Sequence, residues 1–237
     1  MKGPLIDAHR GECGIPGFPG PERYASAIEL GVDFVEIDMR RIADGTFVNY
    51  HDDFTPAGRA VRDLSYPELK TELGTELTTI DELVEIIDGK VGLHVDVKEE
   101  GYEAEVVRKV QSSFTRSEVV FTSGDAPIRA VKDRFPNVRT GLSLGDDLNG
   151  VAPWLRVRVR LSELFPGSRL RRSHADFIAV HKDAARARVL AYCARAHVPA
   201  WVWTVDDESE IARFMRDRRV AVLITNRPDV AMRFRTA

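Results

Sequence analysis

Thiols are scarce in this chain: Cys13 and Cys193 are the only two cysteines in 237 residues. That is too few for a disulfide framework, and they lack the paired spacing of a zinc site, so both are expected to be free. No apolar run approaches the ~18 residues needed to cross a bilayer. The opening MKGPLIDAHR also lacks the apolar core of ~7–15 residues that a secretory signal carries. A cytoplasmic protein is the expectation. Charge of one sign is missing too, because 34 Lys and Arg against 37 Asp and Glu leave −3, and no basic footprint for nucleic acid results. Linkers, low-complexity runs and internal repeats are absent, which favours a single domain over 1–237. What the chain does hold is 43% apolar and 30% charged residues, the balance of a soluble globular protein with a large core.

Eight short apolar runs punctuate the chain: LIDAH (5–9), DFVEID (33–38), GLHVDV (92–97), EVVFT (118–122), VRTGLS (138–143), DFIAV (176–180), AWVWTV (200–205) and AVLIT (221–225). Helical patterns alternate with them, among them PERYASAIEL, TIDELVEII, YEAEVVRKVQSSF, APIRAVKDRF, ARARVLAYCARAH and ESEIARFMRDR. Strand–helix alternation implies parallel strands joined by right-handed crossovers. Eight such units fit a closed (β/α)8 TIM barrel better than an open doubly wound sheet. After the second strand, RRIADGTFVNYHDD carries Asp44-Gly45, a strong hairpin signal, so a short hairpin insertion is expected there.

A barrel of this kind keeps its reactive groups at the C-terminal ends of the strands. Those ends carry His9 and Arg10, then Glu36 and Asp38, then His94, Asp96 and Lys98, with Thr122, Ser123, His181, Trp203 and Asn226 later. Alternate strand residues face opposite sides, so Glu36 and Asp38 share one face, as do His94, Asp96 and Lys98, and the three carboxylates point to the mouth. Val35, Ile37, Leu93, Val95 and Val97 suit the surface beneath the helices. Three carboxylates crowded at one mouth repel unless they are protonated or bind a cation, and hard cations take oxygen ligands. One divalent cation, Mg2+ or Ca2+, held by Glu36, Asp38 and Asp96 is the simplest resolution. A structural network in which these acids pair with Arg10, Arg40 and Lys98 is the competing reading.

The hairpin should return His51 and Asp52 to the neighbourhood of Glu36 and Asp38. Two histidines, a metal and two cations suit phosphate-ester chemistry: Arg and Lys hold phosphate oxygens, the metal stabilises charge, and imidazoles move protons near neutral pH.

His9-Arg10-Gly11, Pro21-Glu22, GVDFVEIDMRRIADGTFVNYHDD, HVDVK, WVWTV and LITNRPD together resemble the glycerophosphodiester phosphodiesterase family, over about residues 5–230. The resemblance implies a metal-dependent barrel that hydrolyses glycerophosphodiesters to glycerol 3-phosphate and an alcohol. It implies His9 and His51 as the acid–base pair, Glu36, Asp38 and Asp96 as metal ligands, and Arg10 and Lys98 as phosphate clamps. Glu22 and Trp203 are expected on the substrate, with Trp203 lining the alcohol side and Trp201 packed in the barrel. There are departures. Arg23-Tyr24 stands where the family has Asn-Thr, Asp96 stands where Glu is usual, as in related phospholipase D-type toxins, and Asn226 replaces a common Asp. Two alternatives follow: a phospholipase D-like enzyme acting on lysolipids or sphingolipids, and a barrel that binds phosphorylated ligands without turning them over. His94, His181 and His197 are expected to stand outside proton transfer. The expected partner is a small phosphodiester, without nucleic acid or stable membrane association, although Phe18, Phe54 and Trp154 could form an apolar lip. Six arginines between Arg156 and Arg172 are expected on a solvated helix face paired with local acids.

Overall fold

Strand β1 (Leu5–Ala8) pairs in parallel with β10 (Val220–Thr225) on one side and with β2 (Phe34–Arg41) on the other. That double pairing closes the sheet. The computed structural model describes residues 3–15, 20–74, 77–145 and 152–235; Phe18 lies outside them. Among the described residues, β5 (Gly92–Val97), β6 (Val119–Ser123), β7 (Arg139–Leu144), β8 (Phe177–His181) and β9 (Ala200–Trp203) complete the ring. Its order is β1-β10-β9-β8-β7-β6-β5-β2, the closed parallel barrel that the eight runs predict.

The outer layer contains α1 (Glu22–Glu29), α2 (Tyr66–Leu73), α3 (Ile80–Ile87), α4 (Glu103–Ser113) and α5 (Asp125–Arg134). It continues with α6 (Pro153–Leu164), α7 (Gly167–Ser173), α8 (Lys182–Ala184), α9 (Leu190–Ala196), α10 (Glu208–Met215) and α11 (Pro228–Arg233). A π-turn, Ala185–Val189, joins α8 to α9. Local chemistry sets several starts. Thr79 and Glu82 form a capping box at α3, and Asp207 accepts from Ser209 and Glu210 at α10, satisfying N–H groups that a first helical turn leaves unpaired.

Asp44-Gly45 turns the chain as expected: β3 (Phe47–Asn49) runs antiparallel to β2, with Met39 opposite Asn49 and Arg41 opposite Phe47. A further short strand, β4 (Thr78–Thr79), pairs with β3; the sequence offered no alternation long enough to reveal it.

Side-chain parity decides what each strand presents. Val35, Ile37, Leu93, Val95 and Val97 are buried in the cluster between sheet and helices. The inward rows start apolar, with Phe34, Val120, Phe177, Trp201 and Val222 packed as a separate cluster inside the barrel. Trp201 stacks on Phe177 at 4.5 Å between centroids, as expected of a residue filling the barrel. Gly141 makes room for that stack, since a Cβ there would come within 2.2 Å of the Phe177 ring. Further along the same rows the inward residues turn polar, so one end of the barrel is a packed plug and the other a charged mouth.

Candidate active site at the barrel mouth

A cavity of about 640 Å³ opens at the C-terminal ends of the strands, lined by His9, Arg10, Glu36, Asp38, His51, Asp96, Lys98 and Trp203 among others. Eight of the nine residues predicted for the site therefore meet there. Glu22 does not: it opens α1 as an exposed residue away from the cavity lining.

The His-Arg-Gly stretch forms a tight 3-10 turn directly after β1, and the expected strand stops one residue short of His9. Arg10 adopts a left-handed conformation (φ 53°, ψ 28°), uncommon for a residue with a side chain and typical of functional turns. Its consequence is visible on both sides of the residue. The Arg10 amide donates to Glu36 Oε2 at 2.8 Å, while Arg10 Nε lies 3.1 Å from Asp38 Oδ2. Gly11 follows at φ 67°, and a Cβ there would meet the buried Tyr24 ring at 2.4 Å. Tyr24, at the sequence's departure from Asn-Thr, is thus the surface against which the turn packs; its hydroxyl accepts from Asn49.

Ligand-atom positions on Glu36, Asp38 and Asp96 all fall within 4.8 Å of one another. Lys98 Nζ bridges Asp38 Oδ1 at 2.7 Å and Asp96 Oδ2 at 2.6 Å. Burial, and then the Asp38 charge, push the Glu36 carboxyl well above the usual carboxylate range. Burial opposes ionisation at Asp38 as well, yet Lys98 and Arg10 outweigh it and hold that carboxyl at about 2. Lys98 is desolvated, but Asp96, Asp38 and Glu36 keep it charged well above the ordinary lysine range. The competing network reading is met for Arg10 and Lys98. Arg40 takes no part in it.

Arg40 is instead the clamp of the His51 segment. Its buried guanidinium donates to Tyr50 O, His51 O, Asp53 Oδ1 and Glu99 Oε1, at 3.1, 2.7, 2.7 and 2.8 Å. The Tyr50 amide donates to Asp38 O at 2.9 Å. These bonds hold the hairpin's return over β2, with half-exposed His51 placing Nδ1 2.6 Å from Asp52 Oδ1.

His9 is oriented from the far end of the chain. Its Nδ1 lies 2.8 Å from Asn226 Oδ1 across 217 positions. Asn226 donates through its backbone N and Nδ2 to Asp206, both at 2.8 Å. With the amide NH2 committed to Asp206, Asn226 Oδ1 is the acceptor, His9 Nδ1 carries the proton, and Nε2 keeps a lone pair. Burial and the Arg10 charge hold the His9 imidazole below its ordinary range, which favours that neutral form.

Beneath the carboxylates runs a second chain. His94 Nδ1 is 2.7 Å from Asp7 Oδ2, and His94 Nε2 is 2.7 Å from Thr122 Oγ1, which donates to Asp96 Oδ1 at 2.7 Å. His94 is buried with both ring nitrogens engaged and forms a post under Asp96. Asp7 and Asp206 were missed in the sequence. Asp7 shares strand parity with His9, a signal within reach; Asp206 lies just beyond β9 and has none.

The cavity has polar and apolar walls besides these groups. Arg160, Glu163, His181 and Asp183 line it, and Trp203 stands there with His181 edge-on at 5.4 Å.

Comparison with known proteins gives the chain its relatives. The sequence model of the glycerophosphoryl diester phosphodiesterase family matches residues 22–135. A glycerophosphodiester phosphodiesterase of Caldanaerobacter subterraneus subsp. tengcongensis is 24% identical over 95% of this chain and 95% of its own length. The chain is thus similar to the glycerophosphodiester phosphodiesterase family. An Arabidopsis thaliana glycerophosphodiester phosphodiesterase is also 24% identical, over 96% of this chain and 72% of its own. Among solved structures, a Parabacteroides distasonis glycerophosphodiester phosphodiesterase superposes with a TM-score of 0.76 at 18% identity, covering 98% of this chain and 97% of its own. An Oleispira antarctica phosphodiesterase in complex with sn-glycerol-3-phosphate superposes with a TM-score of 0.73 at 19% identity, over 98% and 96% of the two chains. At these identities the superpositions establish the barrel.

Proposed function

We propose that this phosphoric diester hydrolase cleaves glycerophosphodiesters to glycerol 3-phosphate and an alcohol, with His9 and His51 as its proton-transfer pair and one domain spanning 1–237. The observation that carries the reading is the convergence of both imidazoles and the Glu36, Asp38 and Asp96 cluster on one cavity. A phospho-ligand binder needs no such pair.

The carboxylates fit a divalent cation on the chemistry of the donor set: three oxygen ligands within 4.8 Å, one of them, Glu36, poorly able to ionise beside the others. A hard cation such as Mg2+ or Ca2+ matches such oxygens. Bound by Glu36, Asp38 and Asp96, it would stabilise negative charge on the phosphoryl oxygens.

The hydrogen bonds around the histidines support a division of their work. His9, with its proton held on Nδ1 by Asn226, takes the proton of the nucleophilic hydroxyl at Nε2; the glycerol hydroxyl beside the phosphate is the nucleophile we favour. His51, oriented through Nδ1 by Asp52, gives a proton to the departing alkoxide as its P–O bond breaks. Water then opens the cyclic ester with the two roles reversed, leaving glycerol 3-phosphate. Arg10 and Lys98, on the same carboxylates, are placed to hold phosphate oxygens.

Polar lining by Arg160, Glu163, His181 and Asp183 favours a small deacylated alcohol over an acyl chain. A second reading, action on lysolipids or sphingolipids, draws on Asp96 and on exposed Phe54 and Trp154. The cytoplasm is our expected place of action, resting on the free thiols Cys13 and Cys193. The test is release of glycerol 3-phosphate from glycerophosphocholine with and without a chelator, followed by kcat/KM for glycerophosphocholine against lysophosphatidylcholine. No release at any divalent cation concentration would overturn the reading, and a clear preference for the acylated substrate would replace it with the second.

A further inference from the structure

The helix α6 is amphipathic the wrong way round for a helix packed on a barrel. Trp154, Val157 and Leu161, at spacings of three and four, form one stripe, and Phe165 continues it just past the helix end. Their exposures are 69%, 61%, 52% and 54%. On another side of the helix Glu163 is buried, accepts from the Gly145 amide at 3.0 Å and pairs with exposed Arg160 at 2.8 Å, and both line the cavity. So the apolar stripe points to solvent while its helix forms part of the mouth.

Two further observations say what covers it. From Ala152 to Arg172 the chain carries six arginines and a single acidic residue, Glu163, in a protein whose net charge is −3. Arg156 and Arg158, within α6, and Arg171 and Arg172, on α7, are exposed, and Arg188 lies over the Phe165 ring at 4.1 Å. Another exposed aromatic, Phe54 at 57%, stands three residues beyond His51 on the loop that reaches the same cavity. Isolated exposed apolar residues are ordinary, but a contiguous stripe is not. Apolar residues with Trp and Phe on one face, flanked by arginine, are the composition of a helix lying at a membrane interface, and a local excess of arginine is matched by the negative surface of anionic lipids.

We propose that α6 docks the barrel mouth onto an anionic lipid surface, its Trp154–Val157–Leu161 stripe entering the headgroup region and the surrounding arginines meeting lipid phosphates. The inference is independent of the reaction assigned above. It departs from one expectation of the sequence, no stable membrane association; the arginine face keeps acid partners as expected, through Arg160–Glu163, Arg169–Asp125 and Arg172–Asp125.

The test is co-sedimentation with vesicles of phosphatidylcholine and phosphatidylglycerol at 3:1, and with pure phosphatidylcholine, using the full chain. Partition onto the anionic vesicles is expected to be at least tenfold stronger and to weaken as salt is raised. The variant W154Q/V157Q/L161Q should lose at least tenfold, and R156Q/R158Q several-fold, with circular dichroism and Tm showing both to be folded. Should the triple variant fail to fold, W154Q alone, and a blue shift of Trp154 emission on anionic vesicles, read the same contact. Absence of wild-type binding to anionic vesicles at low salt overturns the proposal, as does undiminished binding by the folded triple variant. A concentration-dependent dimer abolished by the same substitutions, without vesicle binding, would also overturn it and assign the stripe to a second copy of the chain.

Discussion

His9 and His51 sit in different surroundings, and their substitutions should differ accordingly. Replacing either by Ala should lower kcat by roughly 10²–10⁴-fold while leaving Tm nearly unchanged; near-normal turnover in pure, folded protein would remove that residue from the mechanism. His9 is held below the ordinary imidazole range by burial and Arg10. A base works in its neutral form, so activity should rise with pH through a lowered pKa, and the acidic limb of kcat/KM should fall below ~6.5. An acidic limb above that value would contradict His9 as the base. Asn226→Ala removes the acceptor on His9 Nδ1 and should lower kcat by about 10–100-fold with a smaller effect on KM. The placement of these residues was only half legible: His9 stood at a strand end and His51 on the hairpin's return, but the Asn226 support of His9 joins segments that meet only when β1 and β10 pair.

At the level of elements, the 3-10 turn after β1 shows how a short stretch is made to hold strain. Gly11→Ala places a Cβ on the Tyr24 ring at a left-handed φ, and overpacking of this kind costs about 1–3 kcal/mol. Thermal melting should show the loss directly, and an unchanged Tm would mean that Tyr24 does not back the turn. Strand parity was readable because a β-strand leaves no choice: once Val35 and Ile37 face the helices, Glu36 and Asp38 face the mouth. Helix orientation was less readable. The run LRVRVRL alternates like a strand yet lies within α6, and which side of that helix faces the barrel depends on where Glu163 finds the Gly145 amide.

For the whole molecule, the decisive measurement is cation linkage. If Glu36, Asp38 and Asp96 hold a divalent cation, adding Mg2+ or Ca2+ at 100 times its Kd should stabilise the fold by about 2.7 kcal/mol, seen as a rise in Tm. Asp38→Asn should abolish the rise together with activity. Equal Tm with chelator and with millimolar Mg2+ or Ca2+ would favour the purely structural network of Arg10 and Lys98. Relative kcat/KM for glycerophosphocholine and lysophosphatidylcholine, measured at one cation concentration, should favour the deacylated substrate, because Arg160, Glu163, His181 and Asp183 are among the residues lining the cavity.

The sequence by itself determined the barrel and the three-carboxylate mouth. Alternating strands and helices have one economical closure, and period-two alternation assigns each strand residue to a face without knowledge of its neighbours. Only the tertiary structure decided which partners those residues keep. It sent Arg40 to the His51 segment rather than to the carboxylates, left Glu22 exposed at the start of α1, set the Asp7–His94–Thr122 chain under Asp96, and turned the apolar stripe of α6 to solvent. Each of these depends on distances between segments far apart in the chain, and local propensity and periodicity carry no information about such distances.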